Sequence, residues 1–186
     1  MQPIGCKGGI FMKTTKQLKK ITLCALFAAI SVVIGTVCKL YLTFGAVRLT
    51  FENLTVLLSG IFFGPIYGAA VGTASDLITC FTAAQPSVNP LITLGACSVG
   101  LVGGIMSKVI GEKKYKLTGI LLCVFPAHIV GNMIIKTAAL IIFYSYPIPL
   151  ALLRIPTYIL IGTCESLLIY TIISQKYIKR QMSQLS

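Results

Sequence analysis

The sequence predicts an all-α integral membrane protein, a single bundle of six transmembrane helices with both termini cytoplasmic. Three observations carry that expectation. Hydrophobic residues fill 56% of the 186 positions and charged residues only 11%, with a mean hydropathy of +0.91, whereas soluble domains carry about 25% charged residues. The apolar residues gather into runs long enough to cross a hydrocarbon core about 30 Å thick. Most of the 16 Lys and Arg residues that set the net charge of +12 flank those runs in three clusters, as the positive-inside rule expects. Because they do not form one basic face, the charge argues for a lipid bilayer as partner and against nucleic acid.

Residues 1–17 read as a basic cytoplasmic segment, 18–175 as the membrane domain and 176–186 as a basic cytoplasmic tail. The first span covers 18–38. Ile21 to Cys38 is a stretch of 18 residues without a charge, longer than a usual signal-peptide core, and no small-x-small cleavage pattern follows. The span is therefore expected to be retained. Residues 39–50 form a polar, aromatic connection. Residues 53–75 are uncharged but interrupted by Phe63-Gly64-Pro65. As a kink, this interruption gives five spans and separates the basic clusters. As a turn, it gives six spans and gathers all three clusters on one side: Lys13, Lys16, Lys19 and Lys20; Lys108, Lys113, Lys114 and Lys116; Lys176, Lys179 and Arg180. The charge rule selects the turn, at the cost of a short second helix over about residues 48–63, reaching about 24 Å.

The next uncharged run, 77–107, is 31 residues long, too long for one crossing, and Gln85-Pro86 and Asn89-Pro90 split it. Residues 112–116 make a charged turn, 117–144 the fifth helix, 145–149 a break and 150–175 the last span. The outside loops are then 39–50, 81–89 and 145–149.

Within this apolar background stand Lys136, Arg154 and Glu165. A lone charge at mid-bilayer costs at least about 2.5–3.5 kcal/mol and persists where it faces a cavity, a partner or a substrate. His128, Asn132 and Lys136 fall at i, i+4 and i+8; Arg154, Tyr158 and Glu165 fall at i, i+4 and i+11. Each set shares one face of its helix. Two cations near the outer mouth, Lys136 and Arg154, suit an anionic solute, Arg154 as a bidentate fork and Lys136 as a point charge. Snorkelling of Arg154, or pairing of Lys136 with Glu165 or Asp76, is the alternative. Glu165 lies about 16 Å deeper than Arg154 and can accept from the donor edge of a heterocycle, carry a proton or neutralise a lysine. Asp76 suits a structural hydrogen bond, and so does His128 with Asn132 across helices. Asn89 and Thr93 stand at i and i+4 where the fourth helix opens. Ala25 and Ala29 make a smooth small-residue stripe on the first helix that suits docking to another helix, and Gly60/Gly64 and Gly68/Gly72 suit internal packing.

The seven cysteines are scattered without metal-ligand or redox spacing and read as small buried hydrophobes. The sequence has no phosphate-binding GxxxxGK[ST] loop, no HExxH and no GxSxG. No metal or cofactor is expected, and uphill transport would draw its work from another protein or an ion gradient.

Several runs then resemble a known family. Val47-Arg48-Leu49-Thr50-Phe51-Glu52-Asn53-Leu54 and Leu57-Leu58-Ser59-Gly60-Ile61-Phe62-Phe63-Gly64-Pro65 are similar to the second-helix signature of the substrate-binding S components of energy-coupling factor (ECF) transporters. Asn89-Pro90-Leu91-Ile92-Thr93-Leu94-Gly95-Ala96 and Leu153-Arg154-Ile155-Pro156-Thr157-Tyr158-Ile159 resemble the folate, FolT-like group. Ala25-Leu26-Phe27-Ala28-Ala29 matches the AxxxA motif by which such subunits meet their coupling protein. The resemblance implies a folate-binding subunit of an ECF-type ABC importer in a prokaryotic plasma membrane. Its partners would be a transmembrane coupling subunit and two ATPases that consume the ATP. It also implies a substrate site drawn from Arg154, Lys136, Tyr158, Asn89, Thr93, Glu165, Asn132 and Arg48, with Ala25 and Ala29 at the docking face. The chain departs from the pattern in lacking tryptophan, so a stacking partner must be Phe or Tyr. The alternatives are the same kind of subunit for a flavin, a queuosine precursor or another pterin, a lone proton-coupled carrier using Glu165, and a small membrane enzyme using Glu165 or His128.

Overall fold

The computed structural model describes residues 7–44, 47–82 and 88–175. The tail 176–186 and residues 1–6 lie outside the described residues. Helix α1 (Lys7–Tyr41) is followed by a small antiparallel ribbon, β1 (Thr43–Phe44) and β2 (Val47–Arg48), in which Thr43 pairs with Arg48 and Phe44 with Val47. Then come α2 (Asn53–Phe63), α3 (Pro65–Thr82) and α4 (Pro90–Ile110). A 3₁₀ turn (Gly111–Tyr115) leads into one long rod made of α5 (Leu117–Ala127), a π-helical segment (His128–Lys136) and α6 (Thr137–Tyr144), and α7 (Ile148–Ser174) closes the bundle. Among the described residues four helices are long and apolar enough to cross a membrane: Gln17–Tyr41, Pro90–Tyr115, Leu117–Tyr144 and Ile148–Ser174.

Helix α1 carries no charge from Ile21 to Cys38 but buries only a narrow seam there. Cys24, Ala28, Ser31, Gly35 and Cys38 are buried, at alternating steps of four and three residues, while Leu26, Val33 and Val37 point outward. Every residue of that seam is small, which lets α1 approach α2 and α3 closely. Ala25 and Ala29 lie off the seam, on the exposed side.

The second helix starts later than the sequence suggested. Residues 47 and 48 are taken up by the ribbon, so α2 opens at Asn53 and its 11 residues reach only about 16 Å. Its residues from Asn53 to Phe62 are buried. Such a helix can be short because protein, not lipid, surrounds its ends.

At Gly64 the chain reverses and does not merely bend. Gly64 has φ +103°, and a Cβ on Gly68 would stand 2.7 Å from Cα of Gly60. In a continuous helix those two positions would be about 12 Å apart. Gly100 of α4 completes the contact, its carbonyl oxygen lying 2.6 Å from a Cβ placed on Gly60 and 2.5 Å from one placed on Gly68. Glycines on three helices thus bring three backbones together, the internal packing that their spacing suggested. Ser107 Oγ donates to the Ile61 carbonyl at 3.0 Å, satisfying one of the free carbonyls near the end of α2.

Helix α4 begins at a conventional cap: Asn89 accepts from the backbone N–H of Leu91 at 3.0 Å, with Pro90 in the first turn. In the long rod, Pro126 has no N–H for the Leu122 carbonyl, and two residues later the helix widens into the π segment. Thr137 Oγ1 donates to the Asn132 carbonyl at 3.0 Å at the far end of that segment. Ser145, with φ 49°, ends the rod and Pro147 precedes α7.

Candidate functional site

The π segment and α7 face each other, and their polar residues meet. His128 Nε2 lies 2.7 Å from Glu165 Oε2, and Asn132 Nδ2 lies 2.8 Å from His128 Nδ1. With the Asn132 amide donating, Nδ1 is the acceptor and the imidazole proton sits on Nε2, donated to the carboxylate. His128, Asn132 and Glu165 are almost wholly buried, and Glu165 has no exposure at all. Its second oxygen, Oε1, has no hydrogen-bond partner. Buried polar atoms are rarely left so, because an unsatisfied acceptor costs about 1–3 kcal/mol. Oε1 is therefore an acceptor left open inside the bundle.

The polar line continues along α7. The Tyr158 ring lies 5.8 Å from the His128 ring, centroid to centroid. Arg154 Nη2 donates to the Tyr158 hydroxyl at 2.7 Å, and the guanidinium carbon stands 5.4 Å from that ring's centre. Tyr158 thus holds Arg154 both by a hydrogen bond and by cation–π attraction. His128 pairs with Glu165 and Lys136 with Glu52, and among the described residues no carboxylate within 4.0 Å balances Arg154.

Lys136 does not pair with Glu165 or Asp76, the two acids the sequence offered it. Its Nζ lies 3.7 Å from Oε1 of Glu52, just before α2. The stem of Lys136 runs across Gly95, where a Cβ would be 2.5 Å from its Cγ, so the glycine on α4 leaves the lysine its path. Glu52 is itself anchored through its carbonyl, which accepts from Ser31 Oγ at 2.7 Å.

Thr93 and Asn89 form a separate group at the start of α4. Thr93 Oγ1 lies 2.7 Å from Asp76 Oδ2 and 3.3 Å from the Asn89 carbonyl oxygen, and Asn89 Oδ1 is engaged by the cap. Thr73 and Thr79, near Asp76 in sequence, turn back to carbonyls of their own helix. Asp76 has the structural hydrogen bond expected of it. Arg48 falls on β2, and its side chain lies outside the described residues. The structure therefore brings Arg154, Tyr158, Asn132 and Glu165 together through His128 and places Lys136 on Glu52.

Glu52 and His128 are the residues missing from the site as the sequence drew it. The signal for Glu52 was its rarity: the chain has four acidic residues, and three of them, Glu52, Asp76 and Glu165, have polar partners inside the bundle. Among the described residues no group of three or more His, Cys, Asp and Glu stands close enough to hold a metal.

Comparison with known proteins adds one finding. The family model described as ECF transporter, substrate-specific component, matches residues 19–181. No curated protein matches the chain.

Proposed function

Since the chain belongs to the substrate-specific components of ECF transporters, we propose that its substrate is folate or a close pterin relative. Membership makes it a membrane transport subunit for a vitamin-type substrate, associated with ECF coupling and ATPase modules. It is not an enzyme. The finer reading is a subunit that captures folate outside a prokaryotic plasma membrane and delivers it inward after docking on the coupling subunit.

The observation that carries the folate reading is the polarity of the line on α7. Arg154, without a carboxylate partner, lies near the start of α7, and Glu165 Oε1, without a donor, lies 11 residues further in, about 16 Å along the helix. Folate has the opposite arrangement: carboxylates on its glutamate tail at one end and the N–H donors of the pterin at the other. Docked pterin-inward, it supplies each lone group with a partner, and Tyr158 and His128 offer rings between them. Lys136, Asn132, Thr93, Asn89 and Arg48 complete the proposed site. The exposure of Ala25 and Ala29 supports the first helix as the docking face. The direct test is mass spectrometry of the small molecule that copurifies with the detergent-solubilised subunit, followed by titration with folate. A copurifying flavin or deazapurine, with no folate binding, would assign the subunit to another vitamin.

A further inference from the structure

Lys136 and Glu52 make a loose ion pair in a bundle whose other buried polar partners meet closely. Their 3.7 Å separation is beyond hydrogen-bond reach, so Coulomb attraction alone holds them. Glu52 is fixed at one end and free at the other. Its carbonyl accepts from Ser31 Oγ at 2.7 Å and Thr55 Oγ1 at 3.3 Å. Its carboxylate has one oxygen toward Lys136, and the other rests over Gly35 of α1, where a Cβ would come within 2.8 Å of Oε2. The Glu52 side chain is 25% exposed and that of Lys136 only 11%, so the carboxylate has a way out to water that the ammonium lacks.

We propose that Glu52 is a resident counter-anion: it neutralises Lys136 while the site is empty and yields the ammonium to a carboxylate of the incoming substrate. Glu52 thereby sets the charge selectivity and affinity of the anion site. The inference rests on the reading that this site takes an anionic vitamin. A buried ammonium without a partner is strongly unfavourable, so the empty site needs an internal negative charge. A partner in tight hydrogen-bonded contact would close the site to other anions. A carboxylate at 3.7 Å avoids both outcomes. A substrate carboxylate in direct contact makes the shorter, charge-assisted hydrogen bond that Glu52 does not, and the displaced Glu52 turns toward its exposed side. Among the described residues Arg154 has the neutral Tyr158 to leave, so it takes an anion without displacing one. Lys136 requires an exchange.

The test compares wild type with Glu52→Gln in detergent, by calorimetry and thermal shift, using folate, glutarate as a bare dicarboxylate, and an uncharged pterin without the glutamate tail. Glu52→Gln should bind folate about two- to fivefold more tightly and show a larger thermal shift with glutarate, while the uncharged pterin is unaffected. In a Lys136→Gln background the gain should largely vanish. Unchanged or weaker binding of both anions by folded Glu52→Gln overturns the proposal. If that variant does not fold, Glu52→Asp draws the carboxylate back by one methylene and should give about a two- to threefold gain on the same grounds; no gain there also overturns it. Should folate fail to bind wild type while glutarate still shows the gain, the folate reading falls and the role of Glu52 stands. Folate binding without any gain has the reverse meaning.

Discussion

Arg154 and Lys136 lie on either side of the turn at 145–147 and carry the same charge, yet the bundle satisfies them differently. Lys136 has a carboxylate at 3.7 Å, and Arg154 has a tyrosine hydroxyl and ring. A hydroxyl can accept a hydrogen bond but cannot neutralise a guanidinium, so Arg154 retains its attraction for an external anion. A charge-assisted hydrogen bond contributes about 1.5–3 kcal/mol, about ten- to a hundredfold in affinity. Arg154→Ala should therefore weaken folate by at least tenfold, and Arg154→Lys should restore only part, because the bidentate fork is lost. A pterin lacking the glutamate tail should be nearly indifferent to Arg154→Ala. It should lose affinity on Glu165→Gln, where the acceptor Oε1 is at risk and the bond from His128 is altered. Calorimetry with both ligands on the two variants separates these outcomes, and equal loss of both ligands on Arg154→Ala would show that the arginine holds the fold. Lys136, Arg154 and Glu165 are legible in the sequence because a charge within a long apolar run is rare. Glu52 is marked only by the rarity of acidic residues in the chain, since it stands where a polar connection meets an apolar run, and a charge at such a boundary is ordinary. Only the path of α5 and the π segment, which carries Lys136 to the start of α2, makes it part of the site.

Helices in this bundle meet through small residues of two kinds, and they predict different defects. The glycines of α2, α3 and α4 touch backbone. A methyl on Gly60 would face the Gly100 carbonyl oxygen at 2.6 Å and the Gly104 nitrogen at 3.2 Å, neither of which can move without shifting a helix. Gly60→Ala should cost about 1–3 kcal/mol of stability, seen as a lower thermal midpoint of the solubilised protein. Ala25 and Ala29 face outward, so replacing both with leucine should leave stability and ligand binding of the isolated subunit near wild type. It should abolish uptake and copurification with the coupling subunit. Loss of binding by the isolated subunit would mean that the stripe packs internally. At this scale the four-residue spacing reveals that close approach is possible but not what approaches. Gly60, Gly68, Ala25 and Ala29 share the same pattern in sequence, and only burial separates backbone contact from an open face. The π segment was also unreadable, because the spacing of His128, Asn132 and Lys136 fits one face of an ordinary helix equally well.

For the whole molecule the open quantity is the number of crossings, which decides which end of the site faces outward. The reversal at Gly64 bears on it most directly. Lys108 lies beside the turn, its Cε 3.5 Å from a Cβ placed on Gly64, so the Gly64 end of the α2–α3 hairpin shares a side with the basic 3₁₀ turn that holds Lys113 and Lys114. With α1, the α2–α3 hairpin, α4, the α5–α6 rod and α7 as six crossings, the topology we propose, Lys19 and Lys20 before the first apolar run share that side with this turn, and the positive-inside rule places both in the cytoplasm. The strands 43–44 and 47–48 and the turn 145–147 then lie outside, and α2 rises only about 16 Å from the inner end. Glu52 is left well below the outer surface, level with a site and not with the membrane face. This topology predicts the labelling of cysteines introduced into a background cleared of native ones. In intact cells, Thr43→Cys should react with a membrane-impermeant maleimide, and Tyr115→Cys only after the membrane is opened. Labelling of Tyr115→Cys from outside would require five crossings, place the basic turn outside against the charge rule, and bring the Arg154 end of α7 to the cytoplasm. Outside capture through Arg154 and Lys136 would then be impossible, so the labelling pattern tests the direction of the site together with the count.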